Sequence, residues 1–181
     1  MIYRNVVAAV VRALAAETIN SSGGCDFEPK VQASKQSGEI IGKEAAFLSD
    51  CWVFGRLHKG LTPAQWLALV AKYSTHDERK HAAILELIRL VRSPATERFR
   101  ECAVLTWAIP QVAGAPGKRS SAVLPAAWYD ITNWDNDGKP DSTRYRWRSG
   151  IRKSLDNMVN AALMAAQEIM EAEGLIESRA A

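Results

Sequence analysis

Histidine, cysteine and phosphate-cradling glycine loops are scarce in this sequence, and each scarcity removes a class of chemistry. Among 181 residues there are three histidines, His58, His76 and His81. His76 and His81 stand five apart, so they do not share a helix face as the i, i+4 pair of a helical zinc site does. Solvated or helix-capping roles are expected for them. Three cysteines, Cys25, Cys51 and Cys102, are odd in number and widely spaced, with no CxxC. That is a poor disulfide framework, and it points to buried free thiols in a reducing compartment. GxGxxG, GxxxxGK[ST] and GxSxG are all missing, which removes the usual dinucleotide and nucleotide loops and the hydrolase elbow. No metal, cofactor or catalytic apparatus is expected. An enzyme with a scattered site around His76, His81 and Asp130 is a third-ranked reading, supported only by residue type.

Long apolar runs are also lacking. Val6 to Ala16 is apolar, but Arg12 interrupts it and it falls short of the roughly 20 residues that span a bilayer. An amphipathic helix fits it better than a signal peptide. A cytoplasmic protein without membrane contact is the expectation, in a bacterial host cell if the gene is carried by a phage.

What is present is an ordinary globular composition, 48% hydrophobic and 24% charged, in one stretch of a length that suits a single domain over residues 1–181. The net charge of +3 and the pI near 8.8 permit an anionic partner without arguing for one, because distribution matters more than the sum.

Hydrophobic spacing predicts a mainly α fold, a compact bundle of about six helices with a Gly-rich N-terminal arm and an irregular 111–141 region. The first helix, over 2–19, carries Val6, Val7, Val10, Val11 and Leu14 on one stripe, and 20–38 reads as a loop or arm. A second helix over 39–58 places Ile40, Ala45, Leu48, Trp52 and Leu57 inward and stops at Gly60. Thr62, Pro63 and Gln65 form a helix start on three counts: a cap, a first-turn proline and a capping box. That helix runs to Tyr73. After the turn 74–76, Thr75 with Glu78 offers a second capping box for a helix over 77–92. Ser93-Pro94 ends it and opens another, closed by Pro110. The longest helix, 142–174, is capped by Asp141 or Ser142 and carries the stripe Trp147, Ile151, Leu155, Met158, Ala162, Ala165 and Ile169.

The start of that last helix is the most informative segment. Arg144, Arg146, Arg148, Arg152 and Lys153 occur with no acid between them. Arg144, Arg148 and Arg152 are four apart and share one face, where like charges repel by a few tenths of a kcal/mol per pair, ~0.2–0.5. Cations also oppose the positive end of the helix dipole, while Glu168, Glu171, Glu173 and Glu177 crowd its negative end. Stability alone would place these charges the other way round. A phosphate partner resolves the basic half of this conflict; Glu44, Asp50, Glu97 and Glu101 as internal partners are the competing reading. Tyr145 is placed to stack on a base or on an arginine, and Lys118 and Arg119 in the preceding loop add to the same field. The helices 62–73 and 77–92 also have helix-turn-helix proportions. Asp77 and Glu78, however, stand where a reading helix would meet DNA.

Residues 50–74 (DCWVFGRLHKGLTPAQWLALVAKYS), 106–110 (TWAIP) and 146–151 (RWRSGI) resemble small proteins encoded by tailed phages and prophages. Among phage regulators the nearest analogy is the Q-type late-gene antiterminator. That resemblance implies DNA as one partner and RNA polymerase as another; it carries no site residue across, and the zinc cysteines of some members have no counterpart here. The expected function is therefore a nucleic-acid-binding transcription regulator of phage type. The alternative is a protein-binding module that inhibits or redirects a host protein.

Overall fold

Ile151, Leu155, Val159, Ala162, Ala166 and Met170 recur at steps of three and four, which lines them along one side of a helix, and all six are buried. A computed structural model of the chain describes residues 3–22, 43–111, 124–135 and 137–176. These form a helical bundle without strands: α1 (Val6–Ser22), α2 (Lys43–Gly60), α3 (Pro63–Tyr73), α4 (Asp77–Leu90), α5 (Glu97–Ala108) and α6 (Asp141–Ala172), with two short 3-10 turns, Ala126–Trp128 and Ile131–Asn133, between α5 and α6. The apolar stripe of α6 packs on α3, α5, α1 and α2, while α3 with α4 and α1 with α2 form close pairs. One hydrophobic cluster draws residues from all six helices. No helix among the described residues is long and apolar enough to cross a membrane. The expected arm over 20–38 lies outside the described residues beyond Ser22.

Local chemistry explains most of the boundaries. Thr62 and Gln65 close the capping box: the Thr62 N–H donates to Gln65 Oε1 at 2.9 Å, and Thr62 Oγ1 accepts from the Gln65 N–H at 3.4 Å. At α4 the cap is His76 rather than Thr75. His76 is the last extended residue (φ −84°, ψ 110°), so its side chain meets the open N–H groups, and Nδ1 accepts from the Arg79 N–H at 3.5 Å. The fifth helix starts at Thr96, whose Oγ1 accepts from the Phe99 N–H, three residues beyond Ser93. At the start of α6 neither Asp141 nor Ser142 caps; the boundary residue is Pro140, which has no capping side chain, and Asp141 sits in the first turn. Gly174, at φ +67°, ends α6 with Leu175 N–H donating to Met170 O at 3.0 Å.

The expected stripe of α2 is corrected. Leu57 is buried as expected, but Leu48 and Trp52 face solvent, and Val53 is buried in their stead. The choice of face follows Asp50, a buried carboxylate. It accepts from Tyr3 Oη at 2.7 Å and from Arg12 Nη2 at 3.0 Å, joining α2 to α1. Burial and this carboxylate hold the Tyr3 hydroxyl in its protonated, donating form. Val7 and Val11 likewise lie at the surface. Around α5, Phe99 is the centre of an aromatic group, edge-on to Trp134 at 5.1 Å and to Trp147 at 5.6 Å. It thereby joins α5 to the second 3-10 turn and to the first part of α6.

Two substitutions test these anchors by chemical denaturation with the slope held fixed. Asp50→Ala leaves the Tyr3 hydroxyl without its acceptor and is expected to cost about 1–3 kcal/mol. Phe99→Ala empties the aromatic group and is expected to cost about 3–5 kcal/mol. Midpoints unchanged in either variant would contradict the packing described.

Candidate functional site

The cations at the start of α6 divide according to their angle on the helix. Arg144, Arg148 and Arg152 precede the buried Ala162, Ala166 and Met170 by 18 residues each, five turns at 3.6 per turn, so all three turn to the side of the core stripe, while Arg146 and Lys153 point away from it. Arg144 lies just beyond the end of that stripe, and its side chain is only 12% exposed. Nε and Nη2 donate to Asp135 Oδ1 at 3.0 and 2.8 Å, and Nη1 donates to Asp141 Oδ1 at 3.3 Å. Asp135 is more deeply buried still, at 1% side-chain exposure. Its Oδ2 has no hydrogen-bond partner among the described residues. Arg144 therefore serves the fold, tying the segment before α6 to its first turn, and its partners are Asp135 and Asp141 rather than Glu44, Asp50, Glu97 or Glu101. The turn cluster around Asp135 is likewise engaged: Asn133 Nδ2 donates to Ala127 O, and Asp135 meets a guanidinium.

One and two turns further on, Arg148 and Arg152 are half-buried on α6. With Tyr145, Ser149, Lys153, Asp156 and Asn157 they line an open depression of about 530 Å³. The Arg148 guanidinium covers the Tyr145 ring at 5.6 Å, and Tyr145 is 54% exposed. Arg152 Nε is buried and donates to nothing among the described residues. Burial pushes its guanidinium below the usual pKa, the charge of Arg148 pushes the same way, and Asp156 opposes both. Asp156 also accepts from Trp107 Nε1 at 2.8 Å. Among the described residues, no carboxylate comes within ion-pair distance of Arg146, Arg148, Arg152 or Lys153. Arg146 turns to the other side of α6, beside Arg92 and Pro94. Lys118 and Arg119 lie outside the described residues.

Two lysines that sequence reasoning passed over join this side of the molecule. Lys72, in the last turn of α3, lies 4.6 Å from the ring centroid of Trp107, the residue that binds Asp156. Lys80, near the start of α4, donates from Nζ to Ser74 O at 3.4 Å. Burial lowers the pKa of Lys80, and the charge of Lys72 adds to the effect. Lys72 stands alone among apolar residues, Lys80 sits in the mixed run Asp77-Glu-Arg-Lys-His81, and only the α3–α4 turn brings them together. Their signal was the eight-residue separation across a short turn, legible only once that turn was fixed.

The other candidates are occupied locally. His76 caps α4, His81 is exposed, and Asp130 caps a 3-10 turn by accepting from the N–H and hydroxyl of Thr132, which lowers its pKa. Among the described residues, no three His, Cys, Asp or Glu side chains are grouped to hold a metal. A second cavity, of about 410 Å³, lies where α1 to α4 meet, walled by Phe54, His58 and Trp66. The guanidinium of Arg79 already lies over Phe54 there, 5.4 Å from the ring centroid.

Family models, curated proteins and solved structures gave no match to this chain.

The division of the arginines has a direct test. Asp135→Ala leaves Arg144 buried without its main acceptor and is expected to cost about 3–5 kcal/mol. Arg148→Ala and Arg152→Ala, which remove no ion pair, are expected to cost less than about 1 kcal/mol each. Equal destabilisation by all three, measured by urea unfolding, would erase the distinction between structural and unpaired arginines.

Proposed function

We propose that this protein is a nucleic-acid-binding regulator whose α6 depression takes the sugar-phosphate backbone. One observation carries the reading: Arg148 and Arg152 are half-buried neighbours with no carboxylate in ion-pair reach among the described residues. Partly desolvated cations one turn apart repel each other, and the carboxylate of the depression, Asp156, is not in ion-pair contact with either. Phosphate meets a guanidinium through paired, charge-assisted hydrogen bonds, and a nucleic acid supplies phosphates in series. Lys153 extends the field, and Lys72 lies beside Trp107, the residue that binds Asp156 of the depression. Hydrogen bonds of this kind position a chain without reading its sequence. The resemblance to phage late-gene antiterminators makes transcription the regulated process, DNA the ligand and RNA polymerase the second partner.

A protein-binding role has its own support on a different surface. Leu48 and Trp52, one turn apart on α2, are exposed, with the Arg56 guanidinium over Trp52. Aromatic and arginine side chains of this kind are enriched at protein interfaces. The two roles are compatible, since a regulator that joins a polymerase needs both surfaces.

Fluorescence anisotropy of a labelled oligonucleotide tests the nucleic-acid reading. Arg148→Glu with Arg152→Glu is expected to weaken binding by at least about tenfold for each guanidinium replaced. Arg89→Glu, on α4 away from the depression, is expected to leave it nearly unchanged. With three phosphates neutralised, the logarithm of affinity should fall against the logarithm of salt with a slope near −2 to −3. A double variant that is folded by circular dichroism yet binds like the parent would sink the proposal.

A further inference from the structure

Resting on that reading, we infer that the α6 depression selects single-stranded over double-stranded nucleic acid, with Tyr145 as the base-stacking residue. Three features of the site converge on this. The first is steric. A helix that reads duplex DNA enters the major groove with its reading face projecting. Arg148 and Arg152 are instead half-buried, with Arg152 Nε out of reach of solvent, and α6 is packed on α3, α5, α1 and α2. A flexible strand that bends toward them suits such guanidiniums better than a rigid duplex does.

The second feature is the neighbour of the arginines. Tyr145 is exposed, and the Arg148 guanidinium lies over its ring. In a duplex the bases are stacked inward, and a ring at the level of the phosphates touches only backbone. In a single strand the base beside a bound phosphate is free to lie against an aromatic face, and sequence-tolerant single-strand sites pair a basic track with such faces. Arg148 covers one face of the ring and Tyr145 is 54% exposed, so a base on the open face and its phosphate on the guanidinium would be met by adjacent side chains.

The third feature is extent and polarity. From Tyr145 to Asn157 the depression follows roughly 18 Å of helix at 1.5 Å per residue. That is room for about three to five nucleotides at the per-strand rise of nucleic acid or somewhat more extended. Ser149 and Asn157 line it alongside the cations, supplying uncharged donors and acceptors that unpaired base edges can use. Asp156, its acid, accepts from Trp107.

The test titrates the full chain into labelled 12-nucleotide single-stranded DNA, the RNA of the same sequence, and a blunt duplex of that DNA, at one low salt concentration. The single strands are expected to bind at least about tenfold more tightly than the duplex, and the two single-strand arms show which sugar is favoured. Tyr145→Ala is expected to weaken single-strand binding by about tenfold and leave the duplex unaffected; Tyr145→Phe, which keeps the ring, is expected to retain it. Tyr145 is a surface side chain, so both variants should fold like the parent. A duplex bound as tightly as the single strands, or a Tyr145→Ala variant that binds single strands like the parent, overturns single-strand selection while the nucleic-acid reading stands. No binding of any of the three overturns both.

Discussion

The packing of one long apolar stripe governs this fold. Along α6, Ile151, Leu155, Val159, Ala162, Ala166 and Met170 fill a single side, and α1, α2, α3 and α5 rest against it. A helix has no freedom to rotate once such a stripe is buried, so every other side chain on it is aimed by default. The arginines of α6 are an example. Their spacing puts them on one face; the stripe decides that this face lies at the border of the core. Arg144, Arg148 and Arg152 are therefore partly buried, and Lys153 is exposed.

The electrostatic conflict along α6 is settled differently at its two ends. At the acidic end Glu173 meets Arg56 from α2 in an ion pair, so the bundle itself supplies the counter-charge. At the basic end Asp135 and Asp141 satisfy Arg144 and leave the next arginines without ion-pair partners among the described residues. The buried pair of Arg144 and Asp135 adds little net stability over apolar residues of the same shape. Its value lies in geometry: it fixes where the segment before α6 ends and where the helix begins, which places Tyr145 and Arg148.

Helix content and the capping box at Thr62 were legible in the sequence because both are local. The start of α3 needs only Thr62, Pro63 and Gln65. The face of α2 was not legible. Two apolar stripes one step apart were available, and the choice fell to Asp50, which an eye for hydrophobic periodicity does not place inside. The same holds for Asp135, a polar residue that periodicity does not place inside and that accepts from Arg144. For the candidate site, the basic cluster on α6 was visible as composition, and its division into structural and unpaired members was not. Lys72 and Lys80 were invisible as a pair, since their proximity is made by the α3–α4 turn.

The order of charge along α6 has a consequence for encounters at a distance. Arg146, Arg148, Arg152 and Lys153 stand near one end, and Glu168, Glu171 and Glu173 near the other, roughly 35 Å away at 1.5 Å per residue. The peptide dipole of the helix points the same way, positive end to positive end. The two add, giving α6 a long electrical axis although the net charge of the chain is small. In the field of a polyanion such an object experiences a torque before it feels much net attraction. It turns its basic end forward while still within about a Debye length, ~10 Å at 0.1 M salt, and collides already oriented.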